Sequence, residues 1–316
     1  MNTDELTESV KRTARQHGAA LVGIASVERF DPMPPVADAA PRGQHPRDFI
    51  PDARSVVSFA MPILPAVLDA PAVLAESEHE AVPPAAARPY FDHIYNRVGH
   101  TLHDLHLEFI GQMIGQLLLA QGFDAMVFPT TGVHPRFGGR SEAEVWAEAP
   151  LRYTSGPFSH RHAATRAGLG EFGYSNVVLT PQFGPRQRFN SVVTDAELTP
   201  DPLIDRPICL RDECRLCLKA CVMKAIALRT DASRHDYRSI EHDDPGRIFI
   251  DTPAKSFPHA CMSRPGARDD YPIRGDCLRV CPIPRPAKRL PRHLGKLEPG
   301  SEAVRQVGPV RRVRPV

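Results

Sequence analysis

The run CLRDECRLCLKAC, residues 209–221, places Cys209, Cys214, Cys217 and Cys221 within thirteen positions of a chain that holds seven cysteines in all. Thiolates are soft, strongly donating ligands that stabilise iron in both of its oxidation states, so this density points to iron–sulfur chemistry. In bacterial two-cluster ferredoxins the last cysteine of each run ligates the other cluster. The segment CMSRPGARDDYPIRGDCLRVCP supplies the second half, Cys261, Cys277 and Cys281, with Cys281 followed by proline as such runs end. Crossed ligation then gives Cys209, Cys214, Cys217 and Cys281 to one complete 4Fe-4S cluster. Cys221, Cys261 and Cys277 remain for the second. That set is one ligand short, because Arg274 stands three residues before Cys277, and Cys221 is followed by Val222 where proline is usual. The second cluster could be 3Fe-4S, could recruit Asp276 or His259, or could be missing. Two other chemistries use similar spacings. Zinc needs only four ligands and strands three cysteines. A plant-type 2Fe-2S spacing also fits Cys209 to Cys217, and it too leaves three thiols unexplained.

Elements before the cysteines must carry the rest of the chemistry. TDELTESVKRTARQHG reads as a helix with Thr3 as N-cap, Leu6, Val10 and Ala14 on one face and Gly18 closing it. A strand ALVGIA follows, and RSVVSFAMPI reads as a second, buried strand. The stretch 61–91 is dense in proline and reads as a long surface loop. A long helix is expected over HIYNRVGHTLHDLHLEFIGQMIGQLLLAQG, with Ile94, Val98, Leu102, Leu105, Phe109, Met113 and Leu117 on its core face. DAMVFPT gives a strand, HRHAATRAGLG a short helix ended by Gly168, and the following residues two strands separated by PQFGPRQ. An α/β unit over 1–200 is therefore expected, then a cysteine-bearing unit over 201–290 and a basic, proline-rich tail over 291–316.

Composition frames the setting. The 316 residues are 42% hydrophobic and 24% charged, near the average for folded soluble chains. Neither an apolar run of about 18 residues nor a signal sequence is present, so the cytoplasm is the expected compartment and no membrane partner is expected. Thiols stay reduced there, which favours metal ligation over disulfides. A net charge of +2 does not call for nucleic acid, and the tail lacks aromatic residues to stack on bases.

The sequence AGLGEFGYSNVVLTPQFGPRQRFNSVVTD followed by the cysteine region resembles the epoxyqueuosine reductases and the related cobalamin-dependent reductive dehalogenases. LVGIASVERF, FIPDARSVVSFAMPI and RAGLGEFG extend the resemblance over 4–285. It implies a nitroreductase-like cobalamin-binding domain followed by a ferredoxin-like two-cluster iron–sulfur domain, with electrons passing from the clusters to a corrinoid cobalt. It further implies that Thr154 and Ser155, together with Gly168, Leu169, Gly170, Gly173, Ser175 and Asn176, line the corrinoid. Taken on their own, the glycines read as a helix end and a turn into a strand.

One departure bears on the substrate. The aspartate that epoxyqueuosine reductases use as general acid falls on Thr154, whose hydroxyl cannot donate a proton comparably. Tyr153 is the first replacement candidate, since reductive dehalogenases use a tyrosine, and His160 is the next. The expectation is reductive removal of a leaving group from a small-molecule substrate, with electrons from an external low-potential donor such as a ferredoxin or flavodoxin, and tRNA not the substrate. The alternatives are a ferredoxin-like electron carrier on a degenerate corrinoid domain and a true epoxyqueuosine reductase acting on tRNA.

Overall fold

The computed structural model describes residues 1–31, 44–69, 94–95, 97–130, 157–221, 224–228, 253–256 and 275–284. Tyr153, Thr154, Ser155, Cys261, the basic tail and most of the proline-rich stretch lie outside the described residues.

Helix α1 spans Thr3–Gln16 and buries Leu6, Val10 and Ala14, the stripe that its periodicity dictates. Its N-cap is Asn2 rather than Thr3. The Asn2 side chain accepts from the Glu5 N–H at 2.9 Å and Glu5 returns the bond to the Asn2 N–H at 3.0 Å. This reciprocal box satisfies two amide donors that a Thr3 cap would leave to water.

Strands β1 (Leu21–Ser26), β2 (Ser55–Pro62) and β3 (Ala125–Val127) are followed by the short pair β4 (Glu171–Phe172) and β5 (Val178–Leu179), and then by β6 (Gln187–Thr194). The main sheet has the order β1-β2-β6-β3, and each neighbouring pair is antiparallel. Ile24, Val57, Val192 and Val127 lie opposite one another in one row across it. These side chains meet α1 and helix α2 (Leu102–Ala120) in the larger core. The next row, Ala25, Val56 and Val193, points to the other face and packs on Phe128, Phe158 and Ala163. Helix α3 (His160–Arg166) covers that side. A sheet buried on both faces explains why β2 reads as a continuous apolar run.

The face of α2 differs from the expected one. Its buried residues include Leu107, Ile110, Ile114 and Leu118, whereas Leu102, Leu105 and Phe109 are 56%, 63% and 50% exposed. The helix carries two apolar stripes, so periodicity alone does not choose between them. Gly111 decides the matter: a Cβ there would stand 2.7 Å from Val127, so only this side lets the helix lie close on the sheet. Upstream, Arg97–Thr101 forms a π-helical turn rather than a continuation of the α-helix.

The cysteine region holds a 3-10 turn at Arg211–Glu213, helix α4 (Leu216–Ala220), strands β7 (Ile226–Leu228) and β8 (Ala254–Ser256) paired antiparallel, and helix α5 (Asp276–Arg279). Ile226, Leu228, Ala254 and Tyr174 form its small core, with Cys209, Cys217, Cys221 and Cys277 packed against them. Among the described residues no helix is long and apolar enough to cross a membrane.

Candidate metal centre

Four non-glycine residues in the described chain have positive φ, and Arg211 (48°), Arg215 (50°) and Lys224 (48°) all lie in or just after the first cysteine run. Left-handed backbone costs an L-residue about 1–2 kcal/mol. Such turns fold the run back on itself, and ligand bonds commonly offset strain of this kind.

Five thiols converge as a result. Cys209, Cys214, Cys217, Cys277 and Cys281 line one cleft of about 390 Å3, counted out to its solvent mouth. Tyr174, Leu179, Leu216 and Ile283 form its apolar walls, and Ser175 stands at its edge. Among the described residues no three His, Cys, Asp or Glu side chains are grouped as a single metal ion would hold them. The four cysteines expected to share one 4Fe-4S cluster are all in this cleft, and Cys277, expected in the other set, joins them. Cys221 is packed nearby, its Sγ accepting the Ala225 N–H at 3.2 Å.

Burial opposes ionisation of Cys214, Cys217 and Cys281. Desolvation pushes Cys281 up to about 12, against the opposing effect of the Ile283 N–H and the Arg186 guanidinium. Cys217 is pushed up further, by burial first and then by Cys277, Cys209, Cys281 and Cys214. Cys214 rises mainly through burial. Thiolates crowded in an apolar cleft ionise together only when a cationic core offsets their charge, so loading iron releases protons. The donor set therefore fits an iron–sulfur cluster.

Residues of the first two hundred positions grip each cysteine segment. The Glu171 carboxylate accepts the N–H groups of Ile208 at 2.8 Å and Cys209 at 2.6 Å. The Tyr174 hydroxyl donates to Asp212 at 3.0 Å, and the Arg215 Nε donates to the same carboxylate at 3.0 Å. Burial and the bond to Asp212 push the Tyr174 phenol up, and Arg215, then Tyr174, hold Asp212 down. Arg186 donates to the carbonyls of Ile283 at 2.7 Å and Arg279 at 3.1 Å, and also reaches that of Cys281. None of Glu171, Tyr174 and Arg186 stands out in the sequence as a site residue. The only signal is their position inside the GLGEFGY and FGPRQR stretches.

The described residues expected around a corrinoid lie between α3 and β5. At Gly168 (φ +71°) a Cβ would stand 2.0 Å from the Pro202 carbonyl, and at Gly170 2.1 Å from that of Leu179, so the chain's own backbone fills both positions. Leu169 packs against the cores beside α3. Asn176 takes the left-handed conformation in the turn closed by its N–H to the Gly173 carbonyl at 2.9 Å, and its own carbonyl accepts from Arg161 at 2.6 Å. Gly173 faces the cysteine cleft, a Cβ there lying 3.5 Å from the Cys209 sulfur. The described members of the set thus pack internally or border the cysteine cleft. His160 is buried with both ring nitrogens engaged. Its Nε2 lies 2.9 Å from the Pro129 carbonyl and its Nδ1 3.1 Å from the Ser191 hydroxyl. A carbonyl only accepts, so the proton sits on Nε2. Desolvation lowers its pKa to about 4, which leaves a neutral, structural imidazole.

No protein-family model matches the chain. In sequence it is 45% identical over 71 residues to a tetrachloroethene reductive dehalogenase of Desulfitobacterium hafniense, a stretch that makes up 22% of this chain and 12% of that protein. The enzyme of the same description from Sulfurospirillum multivorans is 36% identical over 122 residues, 38% of this chain and 22% of that one. The matches thus span less than a quarter of the length of these curated relatives. Two solved reductive dehalogenases, one analysed for B12-dependent dehalogenation and one in complex with 3-bromo-4-hydroxybenzoic acid, are each similar at a TM-score of 0.51 and 15% identity. They cover 97% and 99% of this chain and 34% and 35% of their own. An epoxyqueuosine reductase with a tRNA stem loop is similar at a TM-score of 0.43 and 15% identity, over 71% of this chain and 53% of its own. In sequence over those stretches, and in fold, the chain resembles the reductive dehalogenases, a group to which its AGLGEFG and cysteine motifs already pointed.

Proposed function

We propose that the chain is an iron–sulfur oxidoreductase that removes a leaving group reductively from a small organic substrate. The convergence of Cys209, Cys214, Cys217, Cys277 and Cys281 on one cleft walled by Tyr174 carries the reading. An iron–sulfur cluster held there supplies one-electron transfer at low potential. Cys209, Cys214, Cys217 and Cys281 hold it, and Cys221, Cys261 and Cys277 form a second set that is one ligand short of four. The unit over 1–200 positions those ligands through Glu171, Tyr174 and Arg186, and 201–290 supplies them.

For a halogenated substrate the balance is two electrons and one proton taken up, a carbon–halogen bond broken, a carbon–hydrogen bond formed and a halide released. The electrons come from a low-potential ferredoxin or flavodoxin. Tyr153 is assigned the proton, because His160 is buried, neutral and bonded at both nitrogens. Cobalamin enters the proposal on the strength of the relatives, one solved reductive dehalogenase having been analysed for B12-dependent dehalogenation. No described residue is assigned to hold it. The curated relatives named above are reductases, which favours an enzyme over an electron carrier.

The test is halide release. Protein reconstituted with iron, sulfide and hydroxocobalamin is supplied with reduced methyl viologen and offered tetrachloroethene or 3-bromo-4-hydroxybenzoate. Halide and the dehalogenated product support the reading. Absence of turnover, with electrons passed on to a partner protein or with queuosine restored in tRNA of a deficient strain, selects one of the two alternatives.

A further inference from the structure

The amide of Cys209, whose thiol lines the cleft, is bonded to a residue outside that lining. It donates to the Oε1 of Glu171 at 2.6 Å, alongside the amide of Ile208 at 2.8 Å. Glu171 is fixed in β4, which pairs with β5 so that Glu171 lies opposite Leu179, a wall of the same cleft. Its side chain is only 20% exposed, and the cation paired with it at 3.6 Å, Arg211, is 41% exposed. A negative charge is thus held on a rigid element against the backbone of the first cysteine, and solvent screens it little.

We propose that Glu171 is a positioning and redox-tuning residue for the cluster that Cys209 helps to hold. The inference rests on the iron–sulfur reading above. Cluster potentials follow local charge, N–H donation to sulfur and solvent exposure. Glu171 acts on the first two in the same direction. It takes the Cys209 N–H away from the cluster sulfurs, and its charge opposes the added electron. Both lower the potential, as a reductive elimination requires of its donor. At a separation of up to about 10 Å and an effective dielectric constant near 20, one charge changes the reduction equilibrium by at least about tenfold, or about 59 mV for one electron.

The experiment compares the full chain with E171Q and E171A after anaerobic reconstitution, by iron and sulfide content and by EPR-monitored potentiometric titration. E171Q keeps a carbonyl oxygen for both amides and loses the charge. It is expected to retain the wild-type iron content with one midpoint raised by at least about 59 mV. E171A removes the acceptor as well and is expected to lose iron to a chelator faster than E171Q. An unchanged potential in loaded E171Q, or loss of its iron, overturns the inference. A wild-type chain that takes up no iron overturns the cluster reading itself.

Discussion

The Arg186 guanidinium donates to the Ile283 carbonyl at 2.7 Å, and the same group reaches the carbonyls of Arg279 and Cys281. One side chain just before β6 therefore fixes the backbone on both sides of the last cysteine, 95 positions further along the chain. A planar fork of donors suits this task, and a lysine ammonium does not reproduce it.

Substituting Arg186 should therefore act on the metal centre at a distance. In R186K and R186A the Cys281 segment loses its anchor, and each buried carbonyl left without a donor costs about 1–3 kcal/mol. The expected result is reconstituted protein with less iron per chain and an altered EPR signal, while the far-ultraviolet circular dichroism of the main sheet persists. Wild-type iron content in R186A would refute the anchoring role.

The reversed face of α2 gives a second prediction. Leu107 is fully buried against the sheet and Leu105 is 63% exposed, although both belong to apolar stripes of helical spacing. L107A is expected to lower unfolding free energy by about 2–5 kcal/mol and L105A by less than about 0.5 kcal/mol. Urea unfolding measures both. A larger cost at Leu105 would restore the face that periodicity suggested.

Much of the chain can be read in its residues, and the exceptions have physical causes. The cysteine spacing singled out four thiols that the fold brings to one cleft. β2 and the stripe of α1 followed from their apolar patterns, because burial there has one solution. α2 did not, since two stripes compete and a close approach at Gly111 breaks the tie. Asn2 displaced Thr3 as cap because Glu5 can answer it. The glycines 168 and 170 gave no hint of which surface they meet, and that surface is the chain's own carbonyls. Glu171 and Arg186 act on backbone groups tens of residues away, a relation that no local pattern encodes.

His160 makes stability depend on pH. Its folded pKa of about 4 lies below the ordinary value of 6.5, so between these values the unfolded chain binds more protons. Its contribution is fully present above about pH 6.5 and is lost as pH falls toward 4, amounting to about 3 kcal/mol over the window. Replacing His160 with asparagine should flatten the pH dependence of unfolding between pH 4 and 6.5 relative to wild type. Equal slopes in the two proteins would contradict the assignment of a buried neutral imidazole.

The most direct measurement is anaerobic reconstitution of the full chain and of C217A, followed by quantitation of iron and acid-labile sulfide with EPR of the reduced protein. Burial and four neighbouring cysteines oppose ionisation of Cys217 in the absence of a cationic core. The account predicts at least about four irons and four sulfides per wild-type chain, rising to about eight if the second set is complete, and loss of a cluster signal in C217A. Zinc without acid-labile sulfide, or full iron retention in C217A, would contradict it.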